Sequence, residues 1–255
     1  MTHRILSNVV LAVILTLSVG SFAWAATATD HAVQTALQSE LAKKLPDVRV
    51  AVANRVATLT GSVDSYLDKL GAEKTAKKYA ALTRVVDRVA VVGPEVSDDR
   101  LADGLSRQLA GDRTFQGNLF DSFYLQVKDG VVTVSGYAHN YPARDSALGI
   151  VAAEKGVKDV VDKVDVLPLS PFDDGIRVAA ARRIYANGSL SRYGMDPAHP
   201  IRIIVNNGNV ILDGEVLNKM DKQLAEMAVL GVPGVFSVTN NLRVEKGSGD
   251  THSAD

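Results

Sequence analysis

The chain has 255 residues with a formal net charge of −1, so its overall charge balance gives no indication of a nucleic-acid partner. It contains no cysteine, which excludes disulfide crosslinks, a lipid-modified N-terminal cysteine, thiol catalysis and cysteine-based metal sites. With 46% hydrophobic residues, the chain can bury one large core or several small ones.

The N-terminus has the layout of a secretory signal peptide. An apolar run from Val9 to Val19 follows Arg4, and a small-residue cleavage pattern ends at Ala25. The run is short for a bilayer span, which favours export over a retained membrane anchor. Removal of residues 1–25 would take away one basic residue and no acid, giving a net charge of −2. We therefore expect a signal peptide at 1–25 and a periplasmic protein.

Three similar β-hairpins occur along the chain, at "VANRVATLTGSV" (52–63), "VKDGVVTVSGYA" (127–138) and "VNNGNVILDGEV" (205–216). Each has a structural glycine in its second strand: Gly61, Gly136 and Gly214. Seven residues before each glycine begins a two-residue turn, at Asn54, Asp129 and Asn207. Asn-Gly and Asp-Gly pairs favour such turns, so Arg55 in the first hairpin predicts a strained turn or one of another type.

Apolar residues alternate on both sides of each turn, which predicts strands with one buried face. Pairing across the turn places the three glycines opposite Val48, Phe123 and Ile201. A glycine there leaves room for a backbone or a helix to approach closely.

Downstream, the three segments keep one spacing. Asp87, Asp162 and Asn240 each lie 26 residues after their glycine, within a third apolar alternation. Between glycine and marker runs a helix with an aligned alanine (Ala72, Ala147, Ala225) and an aligned basic residue (Lys69, Arg144, Lys222), which we interpret as a solvated helix edge. Upstream, another helix opens with an N-cap candidate, Asp30, Asp98 or Asp173. The shared spacing indicates a true internal repeat.

The predicted fold class is α+β, with three tandem αββαβ units, each a small mixed three-stranded sheet covered by two helices. We call these units the first, second and third repeats and place them at 29–93, 95–168 and 171–246. Short linkers that contain proline, around Pro94 and Pro168, would allow some rotation between repeats. The polar, glycine-rich residues 247–255 are expected to be disordered.

This pattern resembles the BON domain family, named for bacterial OsmY and nodulation proteins. The resemblance lies in the αββαβ order, the "V.V..G.V.L.G.V" hairpin, the basic residue and alanine of the second helix, and endings such as "GVKDVVDKVDV". The first repeat departs from it at Arg55 and at Ala81, where glycine is usual. The resemblance implies an envelope protein of a Gram-negative bacterium, of the osmotic-stress or envelope-maintenance kind, with a phospholipid-binding domain and no catalytic residues.

The residues themselves show no sign of catalysis, and we expect no catalytic residue, metal or cofactor. His31, His139 and His199 are scattered one to a repeat, and no pair has the spacing of metal ligands. No glycine-rich phosphate loop occurs. Helix capping explains the acid pairs that begin at Asp98 and Asp173. The chain is therefore predicted not to be an enzyme.

Two surfaces are candidates for lipid contact. Net charge is +3 for residues 30–91, −4 for 95–168 and +1 for 172–246, and the first repeat alone has a compact basic cluster, Lys74, Lys77 and Lys78. A solvated helix face is the alternative interpretation of that cluster. The second surface is the longer loop before the first strand in the later repeats, which brings Phe115, Leu119, Phe120, Tyr193 and Met195. Packing over the sheet or against a neighbouring repeat is its alternative.

Two function classes therefore remain. In the first, the repeats bind a phospholipid membrane surface and support the envelope under stress. In the second, they form a scaffold that binds envelope proteins or copies of itself through several weak contacts. Lipid binding should require anionic headgroups and weaken with salt, whereas scaffold binding should persist without lipid.

Overall fold

The structure is a computed structural model of the full chain, and it describes residues 19–111, 117–195 and 199–245. Most of the predicted signal peptide, residues 1–18, and the predicted tail, 247–255, lie outside the described residues. The chain forms two compact bodies, one made by the first repeat and one by the second and third repeats together. Among the described residues, no helix combines the length and apolar character needed to cross a bilayer.

The first repeat has the predicted order of elements. They are α1 (Val19–Ala42), β1 (Arg49–Ala53), β2 (Val56–Val63), α2 (Tyr66–Lys77) and β3 (Arg84–Val91). β1 and β2 pair antiparallel, and β2 is the central strand of the sheet. The buried side chains include Leu37 and Leu41 from α1, Leu59 from β2 and Ala72 from α2. The aligned alanine thus lies in the core, where a small residue lets the helix lie close to the sheet.

The second and third repeats follow the same plan with short additions. The second contains α3 (Asp98–Gly111), α4 (Gly117–Phe120), β4 (Ser122–Lys128), β5 (Val131–Ala138), α5 (Tyr141–Ala153) and β6 (Asp159–Val166). The third contains α6 (Pro171–Tyr185), a 3-10 helix (Ser191–Gly194), β7 (Arg202–Asn206), β8 (Asn209–Asp213), β9 (Glu215–Val216), α7 (Lys219–Leu230), β10 (Ser237–Asn240) and β11 (Arg243–Val244). α4 and the 3-10 helix occupy the longer loops.

Both later sheets are mixed, as predicted. β4 and β5 pair antiparallel, and β6 pairs parallel to β5. In the third repeat β7 and β8 are antiparallel, β10 is parallel to β8, and the short strands β9 and β11 continue this parallel pairing. The α+β class and the mixed three-stranded sheets are therefore confirmed.

All three hairpin turns have the same backbone conformation. Both central residues have positive φ in each turn: Asn54 and Arg55 (51° and 62°), Asp129 and Gly130 (55° and 79°), and Asn207 and Gly208 (50° and 76°). Two consecutive positive φ values define the type I′ turn that suits a two-residue hairpin. The first turn is therefore not of another type, and Arg55 adopts a left-handed conformation that strains a side chain with a Cβ.

The aligned aspartates do not cap their own helices, and this prediction was wrong. α1 begins at Val19, well before Asp30, and α6 is capped by Ser170, whose hydroxyl accepts from the Asp173 N–H at 3.2 Å. The aspartates instead bind the hairpin turn of their own repeat. The backbone donors are the Arg55 N–H to Asp30 (3.2 Å), the Asp129 and Gly130 N–H groups to Asp98 (2.8 and 3.0 Å), and the Asn207 and Gly208 N–H groups to Asp173 (2.9 Å each).

This contact ties the first helix to the turn and satisfies turn donors that no strand can reach. Replacing Asp173 by alanine should therefore lower the free energy of unfolding by about 2 kcal/mol, since Asp173 is 1% exposed and two N–H groups lose an ionised acceptor. Asp103→Ala is the control, because it removes the same charge from an exposed position of the same body and should cost less than about 1 kcal/mol. Equal losses in urea unfolding would contradict this role for Asp173.

The three glycines are required by backbone geometry. Their φ values are 109° for Gly61, 112° for Gly136 and 130° for Gly214. Gly136 pairs with Phe123, as predicted, and a Cβ there would collide with the carbonyl oxygen of Ser122 on the adjacent strand. Cβ atoms at Gly61 and Gly214 would meet the Asp47 and Pro200 carbonyls in the same way. The close approach is made by neighbouring backbone and not by a helix.

The markers of the third strand also have a shared structural role. Asp87, Asp162 and Asn240 each accept a hydrogen bond from the backbone N–H two residues further on, at 2.8, 3.0 and 3.2 Å. Aspartate and asparagine are the side chains that make such local backbone bonds most readily. The spacing that revealed the repeat thus marks a local turn inside the third strand.

The aligned basic residue of the second helix is bonded in two repeats and is not only a solvated edge. Arg144 Nε donates to Asp162 at 2.9 Å, and Lys222 Nζ donates to the carbonyl of Leu242 at 2.7 Å. Burial favours a higher pKa for Asp162, but the hydrogen bonds from Arg144 and the Val164 N–H outweigh it and lower the pKa. The basic residue therefore connects the second helix to the third strand.

Candidate functional site

An aromatic side chain from the second repeat completes the core of the third. Phe120, at the end of α4, is 8% exposed and belongs to a cluster with Ile184, Leu190 and Ile201 of the third repeat. Leu119 packs against the same cluster. α4 presents these two side chains to the third repeat. A four-residue helix has too few hydrogen bonds to be stable alone, so this packing stabilises it.

Polar contacts accompany this packing of the second repeat on the third, a contact region that we call the joint. The hydroxyl of Ser122, the first residue of β4, donates to Asp213 Oδ2 at the end of β8, and both residues are buried. Burial, together with the nearby Asp213 carboxylate, raises the pKa of Tyr124. The second and third repeats therefore form one body.

The joint removes Phe120 from the candidate lipid surface. Phe120 is enclosed by protein, so it has no free surface with which to enter a bilayer. Tyr193 is buried as well, and its hydroxyl donates to Asp221 at 2.6 Å and accepts from the Leu217 N–H at 2.8 Å. Phe115 lies outside the described residues, while Met195 is exposed. Packing against a neighbouring repeat was the alternative interpretation of this loop.

A serine, a histidine and two aspartates lie together at the joint, which no sequence pattern had indicated. His139 Nδ1 is 2.8 Å from Asp121 Oδ1, and His139 Nε2 is 2.7 Å from Asn140 Nδ2. In a catalytic triad one imidazole nitrogen must accept the proton of the nucleophile. Here both nitrogens are occupied by other partners, and the Ser122 hydroxyl points to Asp213. The Ser122–Asp213 bond connects the two repeats, and the His139 contacts do not have the arrangement that activates a nucleophile.

The described residues offer few other candidate sites for an ion or a ligand. Within residues 19–111, 117–195 and 199–245, no three histidine or carboxylate side chains come together as metal ligands. An open groove of about 690 Å³ lies in the second repeat, lined by residues that include Arg100, Gly104, Arg107 and Lys155. It is shallow and carries Asp103 and Glu154 as well, so its charges do not favour one ligand class.

The lysine cluster lies in the segment that includes the last turn of α2 and the connection to β3. We call this segment the corner. The first corner is residues 74–83, and its equivalents are 149–158 and 227–236. The same three backbone hydrogen bonds shape every corner. In each corner two N–H groups donate to the carbonyl three residues earlier, and a third donates to the second residue of the hairpin turn. The pairs are Tyr79–Ala76, Leu82–Tyr79 and Thr83–Arg55 in the first repeat, and Glu154–Val151, Val157–Glu154 and Lys158–Gly130 in the second. In the third they are Val232–Val229, Val235–Val232 and Phe236–Gly208.

The predicted lysines are available at the first corner. Lys74, Lys77 and Lys78 are all exposed, with Lys74 and Lys77 in the last turn of α2. Lys77 Nζ lies 2.7 Å from Glu73 Oε1 one turn earlier in the helix. A surface pair of this kind contributes only a few tenths of a kcal/mol, so it does not prevent Lys77 from meeting another anion.

The repeat seen in sequence and structure matches one family. A family model for the BON domain matches residues 29–93, 97–168 and 176–246. The chain belongs to the BON domain family. It carries three tandem BON domains, one for each repeat.

Among related proteins, the chain is 30% identical over 120 residues to an uncharacterized protein in the gshII 5′ region of Anaplasma centrale, over 46% of this chain and 80% of that protein. Among solved structures, it is similar to the C-terminal domain of CdsD, a structural protein of the type III secretion system of Chlamydia trachomatis. Two structures of CdsD match at 16% identity and a TM-score of 0.24, covering 82% and 83% of this chain and 95% and 93% of theirs.

The three BON domains share the backbone of the corner but differ in what they display there. The first presents three lysines, and the second presents Glu154, Lys155 and Lys158. The third has no charged side chain anywhere in residues 227–236. The corners therefore differ in charge on a shared backbone.

Proposed function

We propose that this chain is a non-enzymatic periplasmic protein whose BON domains bind phospholipid membrane surfaces and support the envelope under osmotic or related stress. It would be exported with cleavage after Ala25. The observation that carries the proposal is the exposed corner of the first BON domain, where Lys74, Lys77 and Lys78 lie within five residues of one another. No cofactor enters the proposal.

The magnitude of this contact fits a reversible attachment. A lysine close to an anionic bilayer contributes about 1 kcal/mol, so the three together contribute about 3 kcal/mol. That attraction is screened by salt and is too weak for stable attachment without a second, apolar contact. Phe115 of the second domain stays a proposed contributor of that kind.

Changing Lys74, Lys77 and Lys78 together to glutamate should lower binding to anionic vesicles at low salt by at least about tenfold, because about 3 kcal/mol of attraction becomes repulsion. Binding is measured by co-sedimentation with vesicles of phosphatidylglycerol and phosphatidylcholine in equal parts. The fold should persist, since all three side chains are solvated.

The control places the same charge change elsewhere on the first domain, with Lys43, Lys44 and Arg49 changed to glutamate. These residues are exposed and lie around the α1–β1 connection, away from the corner in sequence. Equal loss of binding in both triple variants would show a dependence on net charge alone. Binding of the parent to envelope proteins or to itself without lipid, together with no binding to vesicles, would favour the scaffold instead.

A further inference from the structure

The corner of the third BON domain is an exposed apolar surface. Its sequence, "MAVLGVPGVF" (227–236), contains no charged or amide side chain. Met227 is 58% exposed, Leu230 57% and Phe236 76%. Large apolar side chains exposed singly are ordinary, but three on one ten-residue segment indicate a binding surface.

Structural equivalence connects this surface to the lysine cluster. Because the corners share the same hydrogen bonds, Met227, Leu230 and Gly231 stand where the first domain has Lys74, Lys77 and Lys78. One position of the fold therefore presents cations in one domain and apolar groups in another. These are the two components of binding at a membrane interface, electrostatic attraction and apolar insertion.

Several backbone N–H groups of the third corner are already hydrogen-bonded within the protein. The N–H groups of Val232, Val235 and Phe236 donate to Val229, Val232 and Gly208, at 2.9, 3.3 and 2.8 Å. The Gly231 N–H is bonded to the carbonyl of Val229. Donors that are already satisfied do not have to be stripped of water when a loop enters an apolar phase.

Two phenylalanines and two arginines complete the surface. The Phe172 ring, 57% exposed, lies against Gly234, and the Phe236 ring lies against Gly208. The guanidinium of Arg183 lies against Gly231, and Arg182 beside it in sequence is exposed. The acids near this surface have partners within the protein. Glu226 accepts a hydrogen bond from Asn240 at 3.0 Å, the buried Asp173 accepts from the Gly208 N–H, and Asp174 accepts from Arg177. Apolar groups bordered by cations match an anionic bilayer, in which acyl chains lie beneath negative headgroups.

We propose that the third corner inserts Met227, Leu230 and Phe236 into the interfacial region of an anionic phospholipid bilayer, with Arg183 at the headgroup level. The inference rests on the proposed membrane binding and assigns its apolar component to a different domain from its lysines. A protein partner is less well matched, because protein interfaces also use polar contacts, and this corner has no charged or amide side chain.

The fluorescence of a tryptophan placed at position 236 shows whether this side chain enters the bilayer. Trp24 is the single tryptophan of the chain and lies in the proposed signal peptide, so Phe236→Trp in the protein that begins at Ala26 places its one tryptophan at the corner. On vesicles of phosphatidylglycerol and phosphatidylcholine in equal parts, its emission should shift to the blue and should be quenched by brominated acyl chains. Tyr141→Trp in the same processed protein is the control, because Tyr141 is 67% exposed on the second domain and a tryptophan there should stay unquenched.

A second variant tests the contribution to affinity. Met227→Ser with Leu230→Ser should weaken vesicle binding by about tenfold at both low and high salt, because lost apolar burial is not screened. Tyr141→Ser should leave binding unchanged. If the parent sediments with vesicles while the tryptophan at 236 stays unquenched, this inference fails and the lysine site stands. If the parent does not sediment, both proposals fail.

Discussion

Replacing Gly136 by alanine is expected to lower the free energy of unfolding by about 3 kcal/mol, combining left-handed backbone strain with an overpacked contact. The added Cβ meets the Ser122 carbonyl oxygen on the paired strand, and that oxygen is fixed in the sheet. φ at this residue is 112°, which side chains with a Cβ rarely adopt. The strands must separate locally, next to the joint that Ser122 makes with Asp213.

Gly149→Ala is the matched control for this prediction, since it adds the same methyl group to the same domain. Gly149 lies in α5 with open space around it, so alanine there should stabilise the helix by up to about 1 kcal/mol. Urea unfolding of the two variants measures the difference. Equal stabilities would show that the glycine of the hairpin is not held as described.

Replacing Phe120 by alanine is expected to cost about 3 kcal/mol and to act on the third domain more than on its own, since a buried phenylalanine leaves a cavity. Phe120 packs into the core that β7 and α6 build, so the variant should expose β7 amides to hydrogen exchange. The second and third domains, which form one body, should then unfold in separate steps.

Tyr141→Ala is the control here, because it also removes an aromatic ring from the same body but from an exposed position. It should change stability by less than about 0.5 kcal/mol. Unchanged exchange at residues 202–206 in the Phe120 variant would mean that the joint does not support the third core.

The repeated fold was predictable because it depends on local chemistry. The features that define it are alternating apolar residues, turn residues with positive φ, and glycines at one spacing. Each affects only residues close to it in the chain, so each can be recognised from the sequence. The Gly136–Phe123 pairing followed directly from turn length. The reason for the glycine was only partly predicted, because the colliding atom is a carbonyl and backbone oxygens have no sequence signature.

Contacts made over long distances in sequence were not predictable. The aspartates at 98 and 173 look like helix caps, since an acid at a helix start normally serves the helix, yet they bind turns 31 to 35 residues away. Phe120 in a polar loop resembles a membrane anchor, and only the packing of the third domain shows that it is a core residue. The apolar third corner does not stand out in sequence, because it can be distinguished from a buried segment only when the exposure of each side chain is known.

The lysine cluster was found in sequence because its charge stands out against neutral and acidic neighbours. The repeat spacing places "KTAKKYAALT" opposite "MAVLGVPGVF", but only the shared hydrogen bonds show that two such different segments have the same backbone. Side chains that differ so widely on one backbone can be compared only once that backbone is known.

Co-sedimentation of the protein recovered from the periplasm with anionic and with neutral vesicles tests the central claim most directly. The account predicts stronger binding to phosphatidylglycerol-containing vesicles than to pure phosphatidylcholine at low salt, and a loss of that difference as salt screens the lysines. Equally weak sedimentation with both kinds of vesicle at low salt would contradict membrane binding by these BON domains.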